Sequence, residues 1–284
     1  MRINTNIASL NAQESATNTN NRLSSSLEKL SSGLRINKAS DDASGLAIAD
    51  KLRTQASSIG QSISNGNSAV SLTQIADKAM AEQSNILDVV KQKLIQASTA
   101  TTSEEGRTAI GKDINKLLTQ LDNIAEQTNY NGISLLQGAS AGAVSDKLDF
   151  QMGEKAANLI SLGSGIQANT TGLTGMSGLK GDSVASTTMS AGGFRDYMDD
   201  VDTAINELNA WRSDVGSTQN QLESGLRNMM TQKTNIKAAE SVIRDVDYAA
   251  ESANFNKQNI IAQAGTYAQS QANAMQQNIT RLLQ

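Results

Sequence analysis

The sequence predicts a mainly α protein: a long antiparallel helical bundle or coiled coil, with one small β-hairpin and with its terminal helices paired. Three observations predict it. The 284 residues contain no Pro, where average usage would give about 5%. Pro is kept out of helix interiors because it removes a hydrogen bond and clashes with the preceding turn, so a chain without it can hold very long helices. Next, Phe194, Val201, Leu208, Val215, Leu222, Met229, Ile236 and Ile243 recur every seven residues without exception, the repeat of a helix–helix seam. Finally, the two halves mirror each other, each with a strong apolar inner tract and a weak, polar outer end.

Residues 3–34 carry the first helical stripe. Ile3, Ile7 and Leu10 open it, residues 11–22 are nearly all polar or small, and Leu23, Leu27, Leu30 and Leu34 resume it at 4-3-4 spacing. A helix this polar is marginal in water without a partner face. Gly33 sits where a left-handed cap would fit. A polar knot of Arg35, Asn37, Lys38, Ser40, Asp41 and Asp42 follows, and then a second apolar run through Leu46, Ile48 and Leu52.

Residues 44–100 form the second helical tract, its face marked by Leu52, Ile59, Ile63, Val70, Ile75, Ile86, Val89, Val90 and Leu94. Gly60 and Gly66 inside it cost roughly 1 kcal/mol each. The break falls at Thr99–Gly106, where Ser103 can cap the next helix and Glu104 and Glu105 suit its first turn. That helix shows Ile110, Ile114, Leu117, Leu121 and Ile124, and Tyr130–Asn131–Gly132 ends it with an Asn-Gly turn signal. The period then changes to two. Leu148, Phe150 and Met152 alternate, as do Ile160 and Leu162, which predicts a β-hairpin at about 146–163. Residues 163–193 are rich in Gly, Ser and Thr and read as a loop.

The seam through Phe194–Ile243 runs for about 50 residues, or ~75 Å of helix. Met198, Ile205 and Leu226 fill some companion positions, and Arg212, Gln219, Lys233 and Glu240 fill others. Each buried seam residue contributes ~1.5–3 kcal/mol before entropy is subtracted. The seam stops at Val246–Tyr248. Beyond it Ile260, Ile261, Ala264, Tyr267, Met275, Ile279, Leu282 and Leu283 form a weaker stripe among Gln, Asn and Ala. The organisation expected is a terminal helix with its connector at 1–43, a helical bundle with the hairpin at 44–246, and a second terminal helix at 247–284. The outer ends, 1–35 and 248–284, pair beside each other and become fully ordered only against other subunits.

Composition excludes several functions. Net charge is −4 with pI near 5.0, against the basic patch expected of a nucleic-acid binder. No run approaches the ~18 apolar residues of a membrane helix. An amphipathic membrane binder would show a Lys- and Arg-rich polar face, whereas these stripes are flanked by Gln, Asn and Ser. There is no His and no Cys, so no His-based triad, thiol nucleophile or His zinc site, and no enzyme, cofactor or metal is expected. Asp41–Asp42 and Asp199–Asp200 are adjacent acids that diverge rather than converge, and read as capping or solvated charge. Residues 163–193 carry no Walker or dinucleotide pattern. Met229 and Met230 read as core filler, and Trp211, at i+3 from Leu208, as buried in the bundle. The N-terminus MRINTNIASL lacks the apolar core of a cleavable signal peptide. Composition alone suggests a soluble, cytoplasmic chain.

Several strings change that expectation. MRINTNIASLNAQ at the start, SSGLRINKASDDASGLAIADKLR at 31–53, QTNYNG at 127–132, LDFQMG at 148–153, GSTQNQLESGLRNM at 216–229 and the tract from Ile243 to Leu283 together resemble the bacterial flagellin family over most of the chain. Its C-terminal strength favours flagellin over the hook–filament junction protein, which shares the terminal helices. The resemblance implies a self-assembling structural subunit of the flagellar filament. It also implies export unfolded through the hollow flagellum, with an extracellular destination and no cleaved signal. The implied partners are other copies of the chain, the filament cap, hook-junction proteins, an export chaperone and the export apparatus. Residues 1–43 and 247–284 would form the inner tube. Ile3, Ile7, Leu10, Leu23, Leu27, Leu30, Ile260, Ile261, Ala264, Ile279, Leu282 and Leu283 would be the assembling residues. Gly33, Arg35, Asn37, Asp41 and Asp42 would belong to the spoke joining tube to shell, with a return spoke at Val246–Tyr248.

Larger members insert outer domains between the halves. About 60 residues separate Gly132 from Phe194, so this is expected to be a short form. In members sensed by an innate Toll-like receptor, an Arg and, four residues on, a Leu precede the Ser/Thr break. The matching positions here are Val89 and Lys93, with Asp113 keeping the acid of a third contact. Weak receptor recognition is therefore expected, as in flagellins of the Campylobacter group. Ser and Thr between 139 and 192 are either O-glycosylation candidates or an ordinary polar loop.

Overall fold

The computed structural model describes residues 6–137, 147–163, 165–185 and 190–282. The described residues hold helices α1 (Ile7–Ser32), α2 (Ala43–Ser98), α3 (Glu104–Gln127), α4 (Met176–Ala185), α5 (Ala191–Arg244) and α6 (Tyr248–Leu282). They also hold strands β1 (Asn129–Tyr130), β2 (Ile133–Ser134), β3 (Leu148–Gln151) and β4 (Leu159–Leu162). The fold is mainly α, as expected. The chain forms two compact units, residues 1–56 with 234–284, and residues 57–233.

In unit 57–233, α2 and α5 run antiparallel. Asp77 pairs with Arg212 at 3.1 Å, and Lys91 pairs with Asp202. The core takes Val201, Leu208 and Val215 from the α5 heptad, Leu87, Val90 and Leu94 from α2, and Ile114, Leu118 and Leu121 from α3. The heptad is buried from Phe194 to Met229, while Ile236 and Ile243, in the other unit, are half-buried. Trp211 is half-buried against the core. Met230 is exposed, contrary to the core-filler reading, because the seam passes through its neighbour Met229.

The α2 face matches the apolar stripe read in sequence only in part: Ile59, Val90 and Leu94 are buried. From Gly66 its buried line runs through Ala69, Thr73, Ala76, Met80, Gln83, Leu87, Val90, Leu94 and Ala97 in alternating steps of three and four, with Leu72 buried beside it. Ile75 and Val89 are instead exposed. Small residues hold the first part of this line, where the packing leaves little room. A Cβ on Gly66 would lie 2.7 Å from Leu226 Cδ2 and 2.9 Å from Met152 Cε. In α3 the buried line is Ile110, Ile114, Leu118, Leu121 and Ala125. Leu117 and Ile124 of the predicted face are only half-buried, one position off the buried line at Leu118 and Ala125.

Ser103 caps α3 as predicted, its side chain accepting the Gly106 amide at 3.1 Å. Asn131 and Gly132 both take positive φ, 51° and 82°, and join β1 to β2 in a tight hairpin that the sequence reading treated only as a helix stop. The expected hairpin is β3–β4, with Phe150 opposite Ile160 and Leu148 opposite Leu162.

The loop expected at 163–193 is corrected by the structure. It contains α4, and Ile166, Ala168, Leu173, Met176 and Leu179 are buried in the core. Its polar side chains find partners: Asp122 accepts from the Thr170 amide at 2.7 Å and from Lys180 Nζ at 2.5 Å, and Asn169 donates to Gln137 at 2.9 Å. Composition pointed to a loop, and sparse apolar residues given a groove overrode it.

Candidate self-assembly surface

The second unit pairs α1 with α6. Asn6 caps α1 by accepting the Ser9 amide at 3.1 Å and donates to the Ala272 carbonyl at 3.1 Å. Near the other end Ser26 donates to Glu251, with Asn254 Nδ2 3.5 Å from the same hydroxyl. These contacts set an antiparallel register.

The sheltered side of the pair is mostly small and polar, with Leu23, Leu30 and Phe255 its large apolar members. On α1 it runs through Ser9, Ala12, Ala16, Thr19, Leu23, Ser26 and Leu30, of which only Thr19 and Ser26 are fully buried. On α6 it runs through Glu251, Phe255, Gln258, Ala262, Gly265, Gln269 and Ala272. Both lines alternate three and four, the geometry of a coiled-coil seam with little of its usual apolar filling. Sequence reasoning missed this seam because it followed large apolar residues. The signal was present as Ala, Ser, Thr and Gly in heptad register.

Most of the large apolar side chains face solvent. Ile7, Leu10, Leu27 and Ile261 are exposed, as are Ile260 at 67% and Tyr267 at 75%. Ala264 is also exposed, whereas Leu23 and Leu30 are half-buried in the pair. The residues predicted to assemble therefore divide between an inner seam and an outer face. Ile279 and Leu282 belong to α6, and Ile3 and Leu283 lie outside the described residues.

Of the predicted spoke residues, Gly33 and Arg35 meet the returning chain at residues 243–246, and Asn37, Asp41 and Asp42 hold their own turn. Gly33 takes φ 73° and closes α1 by donating its amide to the Lys29 carbonyl. Leu34 bridges Asp245. The Arg35 amide donates to the Arg244 carbonyl at 2.6 Å, and its guanidinium donates to the Ile243 carbonyl at 2.7 Å. Asp41 closes the turn by accepting the Asn37 and Lys38 amides at 3.0 and 2.9 Å, which holds its carboxyl below the usual range. Lys38 donates to Glu28 at 2.7 Å, and that hydrogen bond raises its ammonium above its ordinary value. Asp42 accepts the Gly45 amide at 2.8 Å and so caps α2. Ile36, only 2% exposed, is the apolar residue under this turn, and sequence reasoning did not single it out.

Val89 is exposed on α2, and one turn on Lys93 reaches Asp113 of α3 at 3.2 Å. The ammonium therefore occupies the acid that the resemblance marks as a contact.

Comparison with known proteins agrees with this architecture. Residues 3–141 match the description "Bacterial flagellin N-terminal helical region", and residues 198–283 match "Bacterial flagellin C-terminal helical region". The chain is 35% identical over 303 residues to a flagellin of Bacillus subtilis, covering 100% of both. It is 32% identical over 286 residues to the flagellar filament 30.7 kDa core protein of Treponema maltophilum, again covering 100% of both. Among solved structures, a putative flagellar hook-associated protein from Vibrio parahaemolyticus superposes with a TM-score of 0.59 at 13% identity. The match covers 72% of this chain and 99% of that one, and the likeness is one of fold.

Proposed function

The chain belongs to the bacterial flagellin family, and on that premise we propose a division of labour within what is a structural subunit of the flagellar filament. Residues 1–43 and 247–284 are the assembling part and line the inner tube. Residues 44–246 are the surrounding shell, and Gly33–Ser44 with Val246–Tyr248 are the two spokes. The observation that carries this is the outward placement of Ile7, Leu10, Leu27, Ile260, Ile261 and Tyr267 over a mostly small, polar seam. A large apolar side chain left in water favours contacts that remove it, by ~1.5–3 kcal/mol when fully buried. A helical polymer needs unlike faces of one subunit to meet, and the two terminal helices offer such faces to neighbouring copies.

The subunit is secreted unfolded through the flagellum to an extracellular filament. On the way it meets the export chaperone and export apparatus, and at its destination the hook-junction proteins and the cap. It works without catalysis or cofactor. It is a short form without large outer domains, and its altered receptor positions, Val89 and Lys93, support reading it as weakly sensed, like Campylobacter-type flagellins.

Truncation tests the core of this reading. Deleting residues 1–20, or 265–284, is expected to leave the bundle helical and cooperatively folded by circular dichroism while abolishing filaments in electron micrographs. Normal filaments from either truncation contradict it.

A further inference from the structure

Two helices of unit 57–233 carry opposite uncompensated charge on different faces. On α3, Lys112 and Lys116 are exposed and one turn apart, and neither makes an ion pair among the described residues. The nearby α3 acids are already engaged, Asp113 by Lys93 and Asp122 by Lys180. The remaining ones, Glu104, Glu105 and Glu126, lie at the helix ends. On α5, Asp196 and Asp199 are exposed, one turn apart, and likewise without an ion pair among the described residues. The cations of that part of α5 are used elsewhere: Arg195 donates to the Ser98 carbonyl at 3.1 Å and Arg212 binds Asp77.

The two patches lie at the same level of the bundle. Lys91 and Lys93 are two residues apart on α2, and one binds Asp202 of α5 while the other binds Asp113 of α3. Asp113 lies between Lys112 and Lys116, and Asp196 and Asp199 are within about 10 Å of Asp202 along the helix. We propose that Lys112 and Lys116 of one copy dock on Asp196 and Asp199 of the next, as a side-to-side contact between subunits. This rests on the filament reading above.

The charge pattern selects the occupant and the symmetry. A two-fold dimer through either face would set lysines against lysines or aspartates against aspartates, which is repulsive. A head-to-tail contact pairs opposite signs and leaves one unsatisfied patch at each edge, so it propagates. The spacing also matches, since each patch is a pair of charges one helical turn apart.

Charge swapping tests it with the full chain. Lys112→Glu with Lys116→Glu, and separately Asp196→Lys with Asp199→Lys, should each raise the critical concentration for polymerisation about tenfold or more. The monomers should stay helical. A chain carrying all four substitutions should recover most of the wild-type value, which a folding defect would not do. Because Asp196 and Asp199 lie near the start of α5, the pair Asp196→Asn with Asp199→Asn serves as a gentler variant, with a smaller rise expected. Paired reversals that polymerise like wild type overturn the contact, and so does a fourfold swap that fails to recover. Wild-type chain that forms no filaments at all overturns the filament reading itself, and this contact with it.

Discussion

The Val246 amide donates to the Gly33 carbonyl at 3.0 Å. With the Arg35 amide on the Arg244 carbonyl, this makes the two crossings between terminal and inner helices one hydrogen-bonded element rather than two loose connectors. Removing either chain segment would leave the other with unpaired backbone groups. This is a physical reason for the polar knot in the sequence to sit opposite the end of the heptad.

Gly33→Ala is expected to destabilise this element. The residue holds φ 73°, a conformation that costs an L-residue about 1–2 kcal/mol. The added Cβ would also meet Tyr248 Oη at 3.0 Å. Thermal unfolding and exchange of the Arg35 and Val246 amides would report it, and a variant as stable as wild type would contradict the assignment.

Asp41 makes the turn sensitive to acid. Its folded-state carboxyl lies below the ordinary 3.8 because it accepts two backbone amides. Its contribution is therefore complete above the unfolded value and is lost as pH falls through the folded one. Exchange of the Asn37 and Lys38 amides, corrected for intrinsic rate, should accelerate below about pH 4. Asp41→Ala should show the fast rate at neutral pH, with no such acid step.

Gln83 is the polar residue inside the α2 seam, 0% exposed. Its Nε2 donates to the Leu121 carbonyl at 3.1 Å and to the Ala168 carbonyl at 2.6 Å, tying three segments together. Gln83→Ala leaves a cavity and two carbonyls without this donor, and should cost about 2–4 kcal/mol. Urea denaturation should show a lower midpoint with an unchanged slope.

Tyr197 donates to Asp182 at 2.6 Å, and this bond, with burial, pushes its phenol up to about 12. A raised folded-state value means the stabilisation is intact below pH 10 and is lost as pH rises through about 12. Tyr197 should therefore ionise late in an ultraviolet titration, and Asp182→Asn should bring it back toward the ordinary 10.0.

Val89→Arg with Lys93→Leu should raise signalling in a reporter-cell assay of the innate receptor. The pair restores a guanidinium and frees Asp113 from the 3.2 Å ion pair with Lys93. Full signalling by the unmodified chain at subnanomolar concentration would contradict the expected weak recognition.

Periodicity, capping and the change to a period of two made the helices, the break capped by Ser103 and the β3–β4 hairpin legible in the sequence. The interior of 165–185 was not legible, because Gly, Ser and Thr dominate its composition while the burial of Ile166, Leu173, Met176 and Leu179 depends on a groove made by distant helices. The outer face proposed to assemble was half legible. Large apolar residues on α1 and α6 could be found, but not which of them turn outward.

By itself the sequence determined that long helices form, where they stop, and which family the chain belongs to. These depend on local spacing, on the absence of Pro, and on residue strings that need no partner to be read. Tertiary structure decided which side of each helix is inside. Helices close to short range where Gly66, Ala76, Ser26 and Gly265 sit, so those residues take the seams. Ile75, Val89, Ile260 and Tyr267 fall outside those three-and-four registers and are left facing outward.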